Sequence, residues 1–414
     1  MKFFETKIIS EKRTYMKKLK SFLAMMAMLT VLTGCNNPYQ DQAITENLDA
    51  KHENHSNVIT LSAAAKISDS KYTITDLKNL QDFLLARPTQ EDLRGKPYDL
   101  NDDGIWNIFD LCLMKRELLG NMVSDDIPVV YMTKDISSAG LMNTYLALEW
   151  NPSGNTAVKL STGEPPASNY LQPELIKDVV QYVDGTIVEC NTAYGGKRSS
   201  TAMHYQVAED HGFTEIADVK ILDEDGSLVI PVDGGTQLTE NYVGSAFSDY
   251  DSYLVLSHFK GHAMAGFGGA LKNISIGLGS TEGKCLIHTA GNSHTSPWGG
   301  DQDAFTESMA EAGKAVSDYL DNGNNIAYIN VMNRLSVDCD CNGRPAEPDM
   351  HDIGILASTD PVALDQACID LVYSAEDGAA LIQRIESRNG IHVLEHAEEI
   401  GLGSREYQLV ILDE

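Results

Sequence analysis

From residue 126 to the end of the chain, short runs of β-branched and aromatic residues alternate with amphipathic helical patterns. The β-rich runs include "TIVEC" (186–190), "YLVLS" (253–257) and "IAYINVM" (326–332), and the helical patterns between them include "QPELIKDVVQYV" and "AFTESMAEAGKAVSDYL". Strands that are joined through helices form parallel sheets, because each helix carries the chain back to the end where the next strand begins. The sequence therefore predicts an α/β body with a largely parallel sheet over residues 126–414.

Three unusually polar stretches follow predicted strands of this body. They are "ECNTAYGGKRSSTAMH" (189–204), "SHFKGHAMAGFGGALKN" (257–273) and "NRLSVDCDCNGRPAEPDMHD" (333–352). In α/β sheets ligands bind outside the carboxyl ends of the strands, so we expect the three stretches to meet at one cleft. Their charged and metal-binding side chains include Arg198, His204, His258, Lys260, His262, Lys272, Cys339, Cys341 and Asp349.

Two histidines of the middle stretch are candidate ligands of a transition metal. His258 and His262 are four residues apart, and two histidines at this spacing can close on one ion. Cys339 and Cys341 are the candidate thiolate ligands of the same ion. The alternatives are that the histidines satisfy backbone groups at a strand end, and that the cysteines form a redox-active dithiol or exposed thiols in a surface loop.

The middle stretch also contains closely spaced glycines beside lysines, a combination that favours anion binding. Backbone N–H groups approach a ligand closely where side chains are absent, and lysines supply positive charge. The glycine spacing matches neither a P-loop nor G-x-G-x-x-G, so it does not favour nucleotide binding. We expect a small anionic substrate instead. The alternative is that each lysine lies on the solvated surface. The candidate anion-binding residues are Lys272, Gly266, Gly268, Gly269 and Arg198, and the candidate catalytic residues are His204, His288 and Lys260.

Several long motifs of the body carry a family resemblance. They include "NTAYGGKRSSTAMHYQVAEDHGF", "SHFKGHAMAGFGGALKNISIGLGSTEGKCLIH" and "CDCNGRPAEPDMHDIGILASTDPVALDQACIDLV". Over nearly all of residues 126–400 the chain resembles the domain of unknown function 362 (DUF362), a family sometimes labelled iron-sulfur centre proteins. Members often add a ferredoxin-type C-x2-C-x2-C segment, whereas this chain has only the C-x-C of Cys339 and Cys341.

The resemblance implies a metal-dependent enzyme or a redox protein, and it leaves the reaction open. A [4Fe-4S] cluster needs four thiolates. The body would draw them from Cys190, Cys285, Cys339, Cys341 and Cys368. A site for a single transition metal is easier to form, because the histidines can supply ligands. We therefore expect either a single transition metal or a [4Fe-4S] cluster. The alternative to an enzyme is a non-catalytic ligand-binding module.

The segment "DLNDDGIWNIFD" (99–110) has the ligand spacing of a calcium-binding loop. Oxygen-bearing side chains on alternate residues, a glycine at the sharp turn and a closing carboxylate are what a hard cation requires of a short loop. The segment that follows, "LCLMKRELL", has an apolar face at helical spacing. The predicted Ca²⁺ ligands are Asp99, Asn101, Asp103, Asn107 and Asp110.

An internal duplication surrounds this loop, because "TITDLKNLQDFLL" (73–85) repeats "NIFDLCLMKRELL" (107–119). Two such loop-helix repeats resemble a dockerin. The resemblance implies that residues 60–122 form a small all-α calcium-binding domain whose partner is the cohesin domain of a scaffoldin. The first repeat departs from the pattern, with Ala65 and Ile67 at ligand positions, which puts its calcium site in doubt. The alternative is a solitary calcium loop without a partner.

The N-terminus has the features of an export signal. Residues 1–20 contain seven Lys or Arg, and they precede the apolar run "FLAMMAMLTVL", which is too short to span a bilayer. The run ends in "LTGC", which resembles the lipobox of bacterial lipoproteins with Cys35 as the lipid-modified residue. Residues 1–35 are therefore predicted to be a lipoprotein signal peptide, with Met16 as an alternative start. The alternative is an uncleaved membrane anchor.

Residues 36–59 are polar and show no apolar period, which predicts a flexible linker. The formal net charge of −29 makes the chain repel nucleic acids and anionic lipid surfaces. We therefore expect no nucleic-acid partner, and membrane contact only through a lipid anchor at Cys35. The predicted location is outside the cell, either as a cell-surface lipoprotein or in an extracellular cellulosome.

Overall fold

The structure is a computed structural model, and the part that it describes is mainly the body. The described residues are 72–85, 87, 93, 96–100, 105, 106, 110, 111, 114 and 127–413. Several of the predicted features lie outside the described residues. They are the signal peptide with Cys35, the linker, the ligand positions Ala65 and Ile67 of the first repeat, and the calcium ligands Asn101, Asp103 and Asn107. Within the described ranges, no helix combines the length and apolarity needed to cross a bilayer.

The body is built on an eight-stranded sheet. Its strands are β1 (Val129–Thr133), β2 (Thr156–Lys159), β3 (Thr186–Glu189), β4 (Val219–Ile221), β7 (Ser252–His258), β10 (Ile326–Met332), β11 (Gly354–Ser358) and β12 (Gln408–Ile411). They lie in the order β12-β1-β11-β10-β7-β2-β3-β4. All neighbouring strands are parallel except that β11 runs antiparallel to both β1 and β10. The predicted α/β body with a largely parallel sheet is confirmed.

Two hairpins and ten helices complete the described elements. The hairpins pair β5 (Ser227–Pro231) with β6 (Glu240–Gly244), and β8 (Lys260–His262) with β9 (Gly266–Gly268). The helices are α1 (Ile74–Leu84), α2 (Ser138–Ala147), α3 (Pro173–Tyr182), α4 (Thr201–Asp210), α5 (Ala270–Ile274), α6 (Thr281–His288), α7 (Gln302–Tyr319), α8 (Pro361–Ser374), α9 (Ala379–Glu386) and α10 (His392–Glu399). Short 3-10 turns lie at Phe213–Glu215 and Ser245–Asp249.

The central strand β7 shows why the sheet is covered on both faces. All seven of its residues are buried. Tyr253 and Val255 belong to one apolar cluster, whereas Leu254 and Leu256 belong to another. Successive side chains of a strand point to opposite faces, so an uninterrupted apolar run requires a covered sheet on each side. The helices between the strands provide that cover.

The strand order creates a crevice beside β2. From β2 the chain moves outward to β3 and β4, and it then returns to form β7 on the other side of β2. Loops that leave neighbouring strands in opposite directions open a space at their carboxyl ends. The polar stretches predicted to form the cleft leave from β3, β7 and β10, which end at Glu189, His258 and Met332.

The N-terminal segment is described in part. Helix α1 begins with a capping box, in which the Thr73 side chain accepts from the Asp76 N–H and the Asp76 side chain accepts from the Thr73 N–H. An apolar cluster joins this helix to later residues of the segment: Tyr72, Leu80, Leu93, Tyr98 and Met114. The all-α calcium-binding domain stays a prediction.

Candidate functional site

A cavity of about 100 Å³ lies at the carboxyl ends of β2, β3 and β7. The last residues of these strands, Lys159, Glu189 and His258, all line it. The three polar stretches that follow the strands contribute to the same wall. Of the candidate residues from the sequence, those that line the cavity are Arg198, His258, Lys260, His262, Gly268, Gly269, Lys272, His288, Cys339 and Cys341.

Three candidate residues lie away from the lining. His204 is fully buried on α4 and contacts the Glu189 carboxylate, with 3.1 Å between His204 Nε2 and Glu189 Oε2. Gly266 packs its backbone against other loops, where an added Cβ would lie 3.0 Å from the Gly390 Cα atom. Asp349 is exposed. The position of His204 suits the support of a charged cavity residue rather than contact with a ligand.

The cavity holds more positive than negative side chains. Its cationic lining residues are Lys159, Arg198, Lys260, Lys272 and Lys284, and its carboxylates are Glu189 and Asp340. The chain as a whole has a formal net charge of −29. A cationic cavity in a strongly acidic protein is therefore a local reversal of charge.

Arg198 is compensated by carboxylates. It donates to Glu189 at 2.9 Å and to Glu164 at 3.3 Å, and its side chain is buried. Burial by itself would raise the pKa of Glu189, but the Arg198 guanidinium and the His204 contact outweigh it and hold that pKa well below the usual range. Arg198 is therefore part of a closed buried network and has less capacity for a ligand than its position in the sequence predicts.

Asp340 joins two of the polar stretches. Its carboxylate accepts from Lys260 Nζ and lies 3.2 Å from His258 Nδ1. His258 Nε2 lies 2.6 Å from the carbonyl oxygen of Asn333. Both ring nitrogens of His258 therefore already have oxygen partners within the protein, which leaves the ring poorly placed to bind a metal. Burial would raise the pKa of Asp340, but Lys260 and His258 outweigh it and hold that pKa well below its usual range.

The remaining three lysines of the cavity have no carboxylate partner in the described part of the chain. Lys159 Nζ donates to Asn273 Oδ1 at 2.8 Å and to the Leu160 carbonyl at 2.9 Å. Lys284 Nζ donates to the Gly279 carbonyl. Lys272 has neither a hydrogen bond nor an ion pair through its Nζ among the described residues.

The pKa values of two of these lysines reflect that lack of counter-charge. Burial lowers the pKa of Lys159 to about 8, although Glu189 opposes the shift. Burial, together with the charges of Lys260 and Lys159, lowers the pKa of Lys272 to about 7. Both groups therefore exchange protons near neutral pH, and a negative ligand would favour their charged forms.

Cys339 and Cys341 form a disulfide at the edge of the cavity. Together with His262 they make a candidate metal-binding group, whose ligand atoms lie within 4.8 Å of one another. The structure shows these residues in a state that does not suit a metal, because a disulfide offers no thiolate. In addition, His262 Nδ1 accepts from the Ala265 N–H at 2.9 Å, which places the ring proton on Nε2.

The other described cysteines do not join this group. Cys190 donates to the Leu278 carbonyl at 3.3 Å, and burial raises the pKa of its thiol to about 12. Cys368 accepts from Asn330 Nδ2, and Cys285 is buried on α6. Cys190 also lines the cavity, but Cys285 and Cys368 lie on α6 and α8. The described cysteines therefore do not bring four thiolates together, and the expectation of a [4Fe-4S] cluster on them is not met.

His288 offers a free ring nitrogen in the cavity wall. Its Nδ1 lies 2.6 Å from the Lys284 carbonyl oxygen, to which it must donate. Its ring stacks on Phe305, with 5.0 Å between the ring centroids. Burial lowers the pKa of His288 to about 4 against the effect of that hydrogen bond, so the ring is neutral at pH 7 and Nε2 carries a lone pair.

The helix that follows the glycines is already capped by the protein. The N–H groups of Ala270 and Leu271, at the start of α5, donate to the two carboxylate oxygens of Asp365 at 2.8 and 2.9 Å. An added Cβ on Gly269 would lie 2.2 Å from Asp365 Oδ1. Backbone N–H groups at the end of the glycine-rich stretch, where anion binding was expected, thus donate to Asp365, and Gly269 is needed for that close approach.

Sequence reasoning missed four residues that shape the site. Lys159 and Glu189 end apolar strands, and a charged residue at the end of such a run is a signal that was available in "TAVK" and "TIVE". Asp340 stands between the two predicted cysteines but was not assigned a role. Asp365 lies within an apolar helical pattern, and nothing local distinguishes it from a surface residue of α8.

The fold and the cavity define an α/β protein with a cationic cavity at the carboxyl edge of its sheet. The sequence model of the family described as "Domain of unknown function (DUF362)" matches residues 156–370, from the first residue of β2 into α8. This match covers more than half of the chain, and the chain belongs to that family. No curated protein matches the chain.

Two solved structures show partial similarity to the chain. The lactate racemase apoprotein from Thermoanaerobacterium thermosaccharolyticum has a TM-score of 0.35 and 13% identity, over 60% of this chain and 57% of that chain. A Thermotoga maritima protein has a TM-score of 0.33 and 11% identity, over 63% of this chain and 58% of that chain. This chain thus spans less than two thirds of either structure.

The charge of Asp340 should stabilise the body only where that carboxylate is ionised. In Asp340→Asn the buried Lys260 loses its counter-ion and His258 loses the carboxylate that it contacts, so the free energy of unfolding at pH 7 should fall by about 3 kcal/mol. Since the folded state lowers the pKa of Asp340, its contribution is fully present above the ordinary Asp pKa and is lost as the pH falls through the lowered value.

Denaturant unfolding of the wild type and of Asp340→Asn at pH 7 and pH 3 measures this effect. The difference between them should shrink at the lower pH. The exposed Asp349 of the same loop provides the control, and Asp349→Asn should change stability by no more than about 0.5 kcal/mol. A difference for Asp340→Asn that does not depend on pH would contradict this assignment.

Proposed function

We propose that the body is an enzyme that binds a small carboxylate- or phosphate-bearing anion in the cationic cavity. The observation that carries this proposal is the set of three buried or half-buried lysines, Lys159, Lys272 and Lys284, that line the cavity without a carboxylate partner in the described part of the chain. A buried charge without a counter-charge is costly, and an anionic ligand removes that cost. The cavity volume of about 100 Å³ suits a small molecule.

The reactive group of this enzyme, in our proposal, is the pair Cys339 and Cys341. Both sulfur atoms lie in the cavity wall, and they are joined in a disulfide. A disulfide and its dithiol exchange two electrons, and positive charges in the surroundings favour the thiolate that attacks. The lysines that bind the anion would therefore also lower the pKa of a reduced thiol. The neutral His262 presents its Nε2 proton as a hydrogen-bond donor in the same wall.

A transition-metal site is the second candidate, and the grouping of His262, Cys339 and Cys341 favours it. Such a site requires that the disulfide be reduced and that His262 give up the hydrogen bond from Ala265. His258 would not contribute, because its two ring nitrogens already contact oxygen atoms of Asp340 and Asn333. A non-catalytic ligand-binding module would use the same cavity without either kind of chemistry.

Removal of Lys159 should weaken anion binding. Lys159→Met keeps the length of the side chain but loses a charge-assisted hydrogen bond, which is worth about 1.5–3 kcal/mol, or roughly a tenfold to hundredfold loss of affinity. Titration calorimetry with sulfate and with malonate measures the change. The exposed Lys177 of α3 provides the control, since Lys177→Met should bind as the wild type does. Unchanged affinity in Lys159→Met, or no binding to the wild type, would overturn the proposal.

Reduction separates the two chemistries at the cysteine pair. The chain purified without oxygen should gain two reactive thiols on reduction, lose both in Cys339→Ser with Cys341→Ser, and bind no stoichiometric metal. Thiol titration and metal analysis of the same samples measure these outcomes. About one metal ion per reduced chain that disappears in His262→Ala would instead establish the second candidate. Cys285→Ser is the control for a buried cysteine outside the pair.

For the N-terminal segment we propose a dockerin-like module on an exported lipoprotein anchored through Cys35. Its partner would be the cohesin of a scaffoldin in a cellulosome. The support among described residues is the packing of α1 and the closing carboxylate Asp110, which is buried and accepts from the Leu100 N–H at 2.7 Å. In the first repeat, Asp76 already accepts from Thr73 and Tyr98, which fits a repeat without calcium.

Calcium binding should depend on the second loop alone. Asp99→Ala removes the first ligand of that loop, so calcium-dependent folding of the segment should be lost. Circular dichroism during a calcium titration measures this folding. Asp69→Ala, in the first repeat, is the matched control and should leave it unchanged. Unaltered calcium stoichiometry in Asp99→Ala would contradict the assignment.

A further inference from the structure

Lys272 differs from the other lysines of the cavity because its Nζ has no hydrogen-bond or ion-pair partner among the described residues. Lys260 pairs with Asp340, Lys159 donates to Asn273, and Lys284 donates to the Gly279 carbonyl. Lys272 lies on α5, lines the cavity and is half-buried, and its Nζ contacts no acceptor in the described part of the chain. A flexible amine that is kept in a cavity without an acceptor is available to a ligand.

The charges around Lys272 come from several elements and are mostly positive. Positive groups disfavour the ammonium form of a neighbouring lysine, and burial acts in the same direction. The result is a pKa of about 7, so that a large part of Lys272 is a neutral amine at neutral pH. The titratable groups of the cavity lining are Lys159 on β2, Glu189 on β3, Cys190, Tyr194 and Arg198 after β3, His258 on β7, Lys260 and His262 on β8, Lys284 and His288 on α6, and Asp340.

We propose that Lys272 is a nucleophile that forms an imine with a small 2-oxo carboxylate. The inference rests on the proposed anion site, because Lys159 and Lys284 would hold the carboxylate while the carbonyl carbon faces the Lys272 amine. A neutral lysine beside other cationic groups is the form in which enzymes use lysine against carbonyl compounds. The small cavity excludes large partners, and its positive charge favours anionic carbonyl compounds over neutral ones.

The step balances without an oxidant or a reductant. The Nζ lone pair attacks the carbonyl carbon, a C–N bond forms, and the electron pair of the C=O π bond moves to oxygen. His288 accepts one of the two nitrogen protons, since its Nε2 lone pair is free while its Nδ1 donates to the Lys284 carbonyl, and it gives that proton to the oxygen to form a carbinolamine. The second nitrogen proton follows the same route to the hydroxyl, which leaves as water, and the C=N bond of the imine replaces the C–O bond.

Reductive trapping tests the proposal on the full chain. Pyruvate is added at pH 7 with sodium cyanoborohydride, which reduces an imine to a stable secondary amine, and peptide mass spectrometry locates the adduct. Lys272 should carry the adduct at least about tenfold more than the exposed Lys177, because the neutral amine fraction of Lys272 is far larger. Acetone, which has the carbonyl without the charge, should label Lys272 much less.

The variant Lys272→Arg has no such nucleophile, so it should lose the adduct. Lys177→Arg should retain it. Sulfate binding without any adduct on Lys272 would overturn the imine and leave the anion site standing. No sulfate binding by the wild type would overturn the anion site itself. Equal labelling of Lys272 and Lys177 also counts against the proposal.

Discussion

The cavity depends on how its buried charges are balanced. Two of its five cations, Arg198 and Lys260, pair with the carboxylates Glu189 and Asp340. These pairs also hold the loops together, since Asp340 lies between the two cysteines and Lys260 belongs to the glycine-rich stretch. The remaining lysines have no such counter-charge in the described ranges. The ion pairs therefore stabilise the cavity wall, and the remaining lysines favour the binding of an anion.

The fold was predictable because strand and helix periodicity is a local property of the sequence. The runs at β7 and β10 mark fully buried strands, and their alternation with helices predicts the parallel sheet. The antiparallel β11 and the return of the chain across β2 were not predictable, because strand order depends on contacts between distant segments. Family motifs covered the body but carried no topology.

The sequence predicted most of the residues that line the cavity, but it predicted their roles less well. Position after strands indicated which loops meet, and most candidate residues line the cavity. Roles depend on hydrogen-bond partners that are far away in the sequence: Asp340 accepts from Lys260 and contacts His258, and Asp365 accepts from the backbone N–H groups that follow the glycines. Lys159 and Lys284 gain importance for the same reason, because only the structure shows that neither pairs with a carboxylate of the described residues.

An anion that enters the cavity should favour the protonated forms of its lysines. Calorimetry of sulfate binding at pH 8, in two buffers of different ionisation enthalpy, measures the protons taken up in that step. Sulfate is fully ionised at this pH, whereas the pKa values of Lys159 and Lys272 are lowered to about 8 and about 7. We expect the protein to take up protons when sulfate binds. Binding without uptake, or with proton release, would contradict it.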